Sequence, residues 1–296
     1  MSRAALDDSG PTVSVIGPGR VGTALALALH DAGYRVVAVA GRGVTSVEQF
    51  VAAVPTARPL GVEDAARQAG LVLLTVSDDV LADVTRRLAV ADVVVDGSRW
   101  VHTSGRYGAA VLRPLALAGG RTAACHPAQT FPTPERGRAG LPGCAWAVTA
   151  APGEQSWAHE LVRALKGHPV DVGEHARVRY HAGLAVASNG TSAVVTLARD
   201  LLLSAGITEP ERFLEVLAAQ SATNAAERGA AALTGPVRRG DVDTVTAHLS
   251  DLQRALPEAI PAYRALADLA LAYARRAGLD DDRAAAIRDV LDAAGG

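Results

Sequence analysis

The chain has 296 residues, enough for one large domain or two ordinary ones, and 49% of them are apolar, ample for a sizeable core. Lys and Arg number 29 against 31 Asp and Glu, for a net charge of −2 with no long basic or acidic block, so a nucleic-acid partner is not expected. Cys125 and Cys144 stand in no CxxC or Cys/His spacing, which argues against a structural metal or a disulfide framework and fits a reducing cytoplasm.

In chain order, the polar and acidic MSRAALDDSG at the start does not read as a signal peptide. Residues 12–16 (TVSVI) predict a strand, 20–31 a helix and 35–40 (RVVAVA) a second strand. Helices are expected at 46–54, 62–68 and 78–88, with strands at 71–76 (LVLLTV) and 92–95 (DVVV). WVHTSG (100–105), a helix near 107–118, TAACH (122–126) and a Pro-rich loop follow. CAWAVTA (144–150), a helix at 154–166 and PVDVG (169–173) complete this part. Short apolar strands alternating with helices predict an α/β domain, a mostly parallel sheet covered on both faces, over residues 1–173. After Gly173 the strands stop. Helical patterns near 179–205, 210–231, 241–254, 257–277 and 280–293 predict an all-α domain over 174–296. The apolar stretch 182–204 contains Asn189, Arg199 and Asp200, so it reads as a buried helix and no membrane span is expected.

The first strand and helix are joined by Gly17-Pro18-Gly19-Arg20-Val21-Gly22. In a dinucleotide-binding turn the first glycine permits the tight bend and the second lets a pyrophosphate approach. The third lets helix and strand pack, and the helix N-terminus faces the phosphates. An NAD-binding chain carries an acid at the end of the second strand for the ribose 2′-hydroxyl. Here that strand runs into Gly41-Arg42 and no carboxylate appears until Glu48. A guanidinium grips a 2′-phosphate that a carboxylate would repel, so NADP(H) is the expected cofactor and Arg42 its discriminator.

Polar clusters at strand ends are the candidates for chemistry. Ser77 and Asp78 are expected beside the nicotinamide ribose, or else as a helix cap. Thr103 lies in HTSG, which equally suits a turn and cap. His126 opens HPAQTF with Gln129; a histidine of ordinary pKa is roughly a quarter protonated at pH 7 and suits a proton donor. In YHAGLAVASNG, an α-helical wheel puts His181, Ser188 and Asn189 on one stripe, suited to a ligand or to helix–helix hydrogen bonds. Thr234 and Arg239, in LTGPVRRGD, could clamp a carboxylate or simply connect two helices.

GPGRVG, HTSG, HPAQTF, YHAGLAVASNG and LTGPVRRGD, in that order, resemble a family of Rossmann-like proteins whose helical half is the domain of unknown function 2520. The likeness runs from about residue 12 to 275. The family is similar to 6-phosphogluconate dehydrogenase, ketopantoate reductase, pyrroline-5-carboxylate reductase and 3-hydroxyacyl-CoA dehydrogenase, which pair a Rossmann domain with a helical one. The resemblance implies a role for Asn189 matching the Asn of a Lys/Asn pair in the hydroxyacid dehydrogenases. The Lys position is then Ala185, and Lys166, the only lysine, ends the preceding helix. His181 is one replacement for the missing lysine; His126 falls where hydroxyacyl-CoA dehydrogenases carry a catalytic histidine, though their partner Glu has no clear match beyond Glu135. The LTGPVRRGD loop resembles the carboxylate loop of pyrroline-5-carboxylate reductases, which implies a homodimer through the helical domain and substrate contacts from Thr234 and Arg239.

The expected function is NADPH-dependent reduction of the C=O of a small carboxylate-bearing substrate, such as the 2-oxo acid 2-dehydropantoate. Asn189 would orient the substrate, His126 or His181 would donate the proton, and Gln129, Ser188, Thr234 and Arg239 would bind the substrate. One alternative is reduction of a cyclic imine, which explains the missing lysine because the nitrogen already carries its proton. Another is a non-catalytic NADP(H)-binding sensor or scaffold.

Overall fold

The computed structural model describes residues 10–294, which divide into two compact units, one ending at Ser188 and one beginning at Asn189. The last strand ends at Asp171, so the change from sheet to helix falls near Gly173 as the sequence suggests, while the first unit extends fifteen or so residues into the helical part.

The first unit is built on eight strands: β1 (Thr12–Ile16), β2 (Arg35–Ala40), β3 (Arg58–Pro59), β4 (Leu71–Leu74), β5 (Arg99–His102), β6 (Arg121–Pro127), β7 (Ala145–Ala150) and β8 (His168–Asp171). Its helices are α1 (Arg20–Asp31), α2 (Val44–Ala53), α3 (Val62–Arg67), α4 (Asp78–Val90), α5 (Arg113–Leu117), α6 (Pro134–Ala139), α7 (Gln155–Ala164) and α8 (Arg177–Ala185). The strand order is β3-β2-β1-β4-β5-β6-β7-β8, parallel throughout except for the antiparallel β6–β7 pair. Alternation along the strands feeds two cores. Val13, Val15, Leu71 and Leu73 point to one face with Leu25 and Leu29 of α1, and Ile16, Val72, Leu74 and Trp100 to the other with Leu81 and Leu88 of α4. Chain order reverses between β1 and β4, and in open α/β sheets such a switch point opens a crevice at the carboxyl ends of the strands.

Two local expectations fail for physical reasons. Residues 92–95 form no strand: Asp92 takes a left-handed turn at φ 50°, Val95 is exposed, and the strand forms later, at β5. The continuous helix expected at 179–205 is divided by a π-helical segment, Val186–Gly190, that separates α8 from α9 (Thr191–Ser204). The wider π turn breaks the register assumed for the stripe His181–Ser188–Asn189, so that wheel does not describe this segment.

The second unit continues from α9 with α10 (Glu211–Arg228), α11 (Pro236–Arg239), α12 (Val242–Ala255), α13 (Ile260–Arg276) and α14 (Asp281–Ala293). Its core comes from α11 to α14, with Val245, Leu249, Leu271, Ile287 and Leu291 at its centre. No residue of α9 or α10 is buried. Among the described residues no helix is long and apolar enough to cross a membrane.

Candidate functional site

The glycine turn sits at the switch point. Gly17 has φ +106°, and its N–H donates to Ala40 O at 2.9 Å, fastening the turn to the end of β2. A Cβ at Gly17 would come within 2.6 Å of the Thr75 carbonyl carbon, and one at Gly22 within 2.4 Å of Gly17 O. Both positions therefore require glycine, one for the turn and one for helix–strand contact. Gly19 differs: a Cβ there meets nothing within 4 Å, so the chain leaves open space where a ligand approaches the backbone. Gly19 is also the N-cap of α1, and no side chain caps that helix. Uncapped N–H groups and the helix dipole favour an anion at this end. Thr75, which the sequence reading passed over, donates from Oγ1 to Gly17 O at 2.7 Å and locks the turn to the end of β4. A hydroxyl one residue past an apolar strand was the only signal of it.

A groove of about 470 Å³ opens over this turn, lined by Gly17, Pro18, Gly19, Arg42, Ser46 and Ser77 among others. Gly19, Arg20 and Arg42 are exposed, Val21 is half-buried and Pro18 is buried. Arg42 thus lies where the sequence placed it, after β2 and facing the groove. Ser77 is the N-cap residue of α4 without a capping bond of its own; its hydroxyl bonds the Asp79 carboxylate and holds it below the ordinary range. Asp78 begins α4 half-buried, and Thr103 is half-buried between His102 and Ser104. The open Gly19, the helix terminus and the arginine at the groove fit a phosphorylated dinucleotide.

A second cluster forms at the carboxyl end of β6, on the same edge of the sheet. His126 Nδ1 and the Tyr180 hydroxyl are 2.8 Å apart, with their rings edge to face. The His181 ring lies edge-on at 6.2 Å from that of His126. Gly105 makes room for them: a Cβ there would come within 2.6 Å of His181 Cδ2 and 3.0 Å of His126 Nε2. Beneath them Arg177 is buried, donating to Thr149 Oγ1, Ala124 O, Ala147 O and Ser104 O. Burial first, then the charge of Arg177, pushes the His126 pKa down to about 4, against a smaller pull from Asp78. This corrects the expectation of a partly protonated His126: near neutral pH the imidazole is uncharged. Burial raises the Tyr180 pKa, so its phenol keeps its proton. A phenol that keeps its proton beside an uncharged imidazole makes Tyr180 the acid of the pair, while the His126 tautomer sets which of the two donates the bond between them. Hydropathy and spacing could not single out Tyr180, because its partner is more than 50 residues away in sequence.

Gln129 and Glu135, both named from the sequence, have other partners, and so does the neighbouring His102. Gln129 is not a free substrate contact: its Nε2 donates to Gly137 O at 2.9 Å and fastens α6. Glu135 is exposed at the start of α6, where the backbone first and then Thr133 hold its carboxyl low, and it does not partner His126. His102 is buried and fully engaged, with Nε2 bonded to Gly108 O and Nδ1 accepting from the Ser104 N–H. In the helical unit, Asn189 is exposed in the π segment, and Thr234 is exposed before the glycine that opens α11. Arg239 is also exposed and lies 3.7 Å from Asp241. Ser188, the last residue of the first unit, is half-buried.

These features define a class: a dinucleotide-binding α/β unit followed by a helical unit. Residues 2–127 match the model of the Rossmann-like domain, and residues 144–288 match the domain of unknown function DUF2520. The chain joins a Rossmann-like domain to a DUF2520 domain. Among solved structures it is similar to BF3122 of Bacteroides fragilis, described as a proposed NADP oxidoreductase. That match has 22% identity, covers 88% of this chain and 96% of the other, and has a TM-score of 0.71. It is similar to an imine reductase from Pseudomonas sp., with 23% identity, 95% and 99% coverage and a TM-score of 0.64. It is also similar to the Myxococcus stipitatus imine reductase in complex with NADP+, with 20% identity, 90% and 94% coverage and a TM-score of 0.59. At these identities the likeness is one of fold. No curated protein matches the sequence.

Proposed function

We propose that the protein is an NADPH-dependent reductase of a polarised C=O or C=N bond in a small molecule. The observation that carries this reading is the pairing, in one unit, of a phosphate-ready glycine turn with the proton-bearing Tyr180–His126 pair on the same sheet edge. Gly17 to Gly22 cradle the pyrophosphate, and Arg42 grips the 2′-phosphate. When bound, the dinucleotide supplies the hydride. Tyr180 supplies the proton that a carbonyl oxygen needs, and its hydrogen bond with His126 orients the hydroxyl.

Two substrate classes follow. A 2-oxo acid such as 2-dehydropantoate needs the Tyr180 proton. A cyclic imine arrives protonated and needs no acid; the imine reductases of like fold support this reading. The test is NADPH oxidation, followed at 340 nm, against 2-oxo acids and cyclic imines, with NADH as control. Turnover lost in Tyr180→Phe supports the carbonyl reading, and imine turnover retained in Tyr180→Phe supports the other. Tight NADPH binding with no turnover of any C=O or C=N compound would overturn the reductase reading in favour of a sensor or scaffold.

The same proposal includes a homodimer through the helical unit. Phe213, Val216 and Leu217 form an exposed i, i+3, i+4 apolar stripe on α10, and α9 beside it also buries nothing. Two long helices without a buried face have little tertiary support of their own, which a second copy would supply. Light scattering should report twice the 30.3 kDa chain mass, falling to one chain in Phe213→Ser/Leu217→Ser. Cys125 and Cys144 are free thiols, in keeping with a cytoplasmic setting.

A further inference from the structure

Arg177 is the most deeply buried charged side chain near the cluster, at 1% exposure. It opens α8, and its guanidinium reaches back into the sheet. Nε donates to Thr149 Oγ1 at 2.7 Å, Nη2 to Ala124 O and Ala147 O at 3.0 Å each, and Nη1 to Ser104 O at 3.4 Å. All four acceptors are uncharged. Burial of the guanidinium is costly, and the hydrogen bonds and the exposed carboxylate of Glu174, which acts on it through space, offset only part of that cost. The charge itself has a target: the guanidinium carbon lies 5.8 Å from the centre of the Tyr180 ring, one helical turn on, and Tyr180 meets His126.

We propose that Arg177 is a positioning residue that fixes the Tyr180 hydroxyl on His126 Nδ1 and sets a permanent positive charge beneath the pair, fitting the site to a carbonyl whose oxygen becomes anionic rather than to an iminium cation. This rests on the reductase reading. In the step, the carbonyl carbon takes up the hydride equivalent that the dinucleotide supplies, and the C=O π pair moves to oxygen. The Tyr180 O–H bond breaks and its proton goes to that oxygen. The phenolate left on Tyr180 faces Arg177 until water reprotonates it. A cationic iminium, by contrast, would meet the Arg177 charge, which the exposed Glu174 offsets only in part.

The other titratable groups around the pair are accounted for. Tyr180 is raised by burial and by Cys144 and lowered by Arg177; His126 faces Arg177 and His181 from α8, His102 from β5 and Asp78 from α4. Asp78 is the acid that acts on His126, more weakly than Arg177 does, and Glu174 is the acid that acts on Arg177.

The experiment compares Arg177→Met, which keeps length without charge, with Arg177→Lys, which keeps charge without the fork. The Tyr180 titration is read as phenolate absorbance, with Tyr180→Phe subtracted. In Arg177→Met the Tyr180 midpoint should rise by about one pH unit or more, and carbonyl turnover should fall roughly 10-fold or more with NADPH affinity unchanged. Arg177→Lys should restore most of the midpoint. An unmoved Tyr180 midpoint in folded Arg177→Met overturns the inference. So does a preference of the wild-type protein for a permanently cationic iminium over neutral and anionic carbonyls. Should the variants not fold, nitrogen NMR of wild-type His126 decides: an uncharged ring at pH 7 supports the inference, and an imidazolium overturns it. The phenolate and NMR readings need no turnover, so failure of the reductase reading would be seen separately as an inactive protein whose Tyr180 still responds to Arg177.

Discussion

Three glycines in the same turn have different tasks, and single substitutions separate them. Gly17 is left-handed and abuts the Thr75 backbone, so Gly17→Ala forces both strain and a clash. It should lower stability by about 2 kcal/mol or more, read as a clear fall in melting temperature. Gly19 has φ −85° and open space, so Gly19→Ala should fold as the wild type does. Its methyl group then stands where a pyrophosphate approaches, and NADPH affinity should drop roughly 10-fold or more. Wild-type NADPH binding in Gly19→Ala, measured by fluorescence titration, would remove the cradle from the argument. Arg42 is tested by preference rather than by affinity alone. Arg42→Ala should lose about 1–2 kcal/mol of NADPH binding, the worth of a charge-assisted contact, while NADH binding changes little. Equal losses for the two cofactors would show that Arg42 does not read the 2′-phosphate.

At the scale of elements, the sequence was most legible where the determinants are local. The β1–turn–α1–β2 unit follows from a period-two apolar run, three spaced glycines and an Ala/Leu helix, all within 30 residues. The order of helical elements after Gly173 was legible for the same reason. What escaped was non-local or violated the assumed period. The π segment at Val186–Gly190 has no sequence mark that a helical wheel can detect, so the stripe drawn through it linked residues that do not share one α-helical face. Arg177 and Tyr180 gain their meaning from Thr149, Ser104 and His126, partners brought by strands far away in sequence. The loop after β5 shows how tight this assembly is. It must pass the two histidines with no side chain at Gly105, since a methyl group would press on His181 and approach His126 Nε2. Gly105→Ala should therefore reduce turnover roughly 10-fold while leaving NADPH affinity and the far-UV dichroism near wild type. Unchanged turnover in an otherwise folded Gly105→Ala protein would show that the geometry of the histidine pair is not used in the reaction.

For the whole molecule, the buried histidines predict an acid sensitivity confined to one unit. Seven of the eight histidines lie in the first unit, and His248 of the second is exposed. Burial is the main cause that pushes both His102 and His126 down to about 4. In the unfolded chain both titrate near 6.5. Between these values the unfolded chain binds protons that the native one refuses, so native stability is highest above pH 6.5, falls as the pH drops through that value and levels off below about 4. By pH 5 the loss should be about 2 kcal/mol for each histidine. All three tryptophans, Trp100, Trp146 and Trp157, are buried in the first unit, so urea unfolding followed by tryptophan fluorescence reports that unit alone. Its midpoint should fall steadily from pH 7 to pH 5, before most carboxylates titrate, and His126→Gln should flatten part of the slope. A midpoint constant across that window would mean that one or both imidazoles become charged in the folded protein, and with that the neutral His126 on which the Tyr180 assignment depends would be lost.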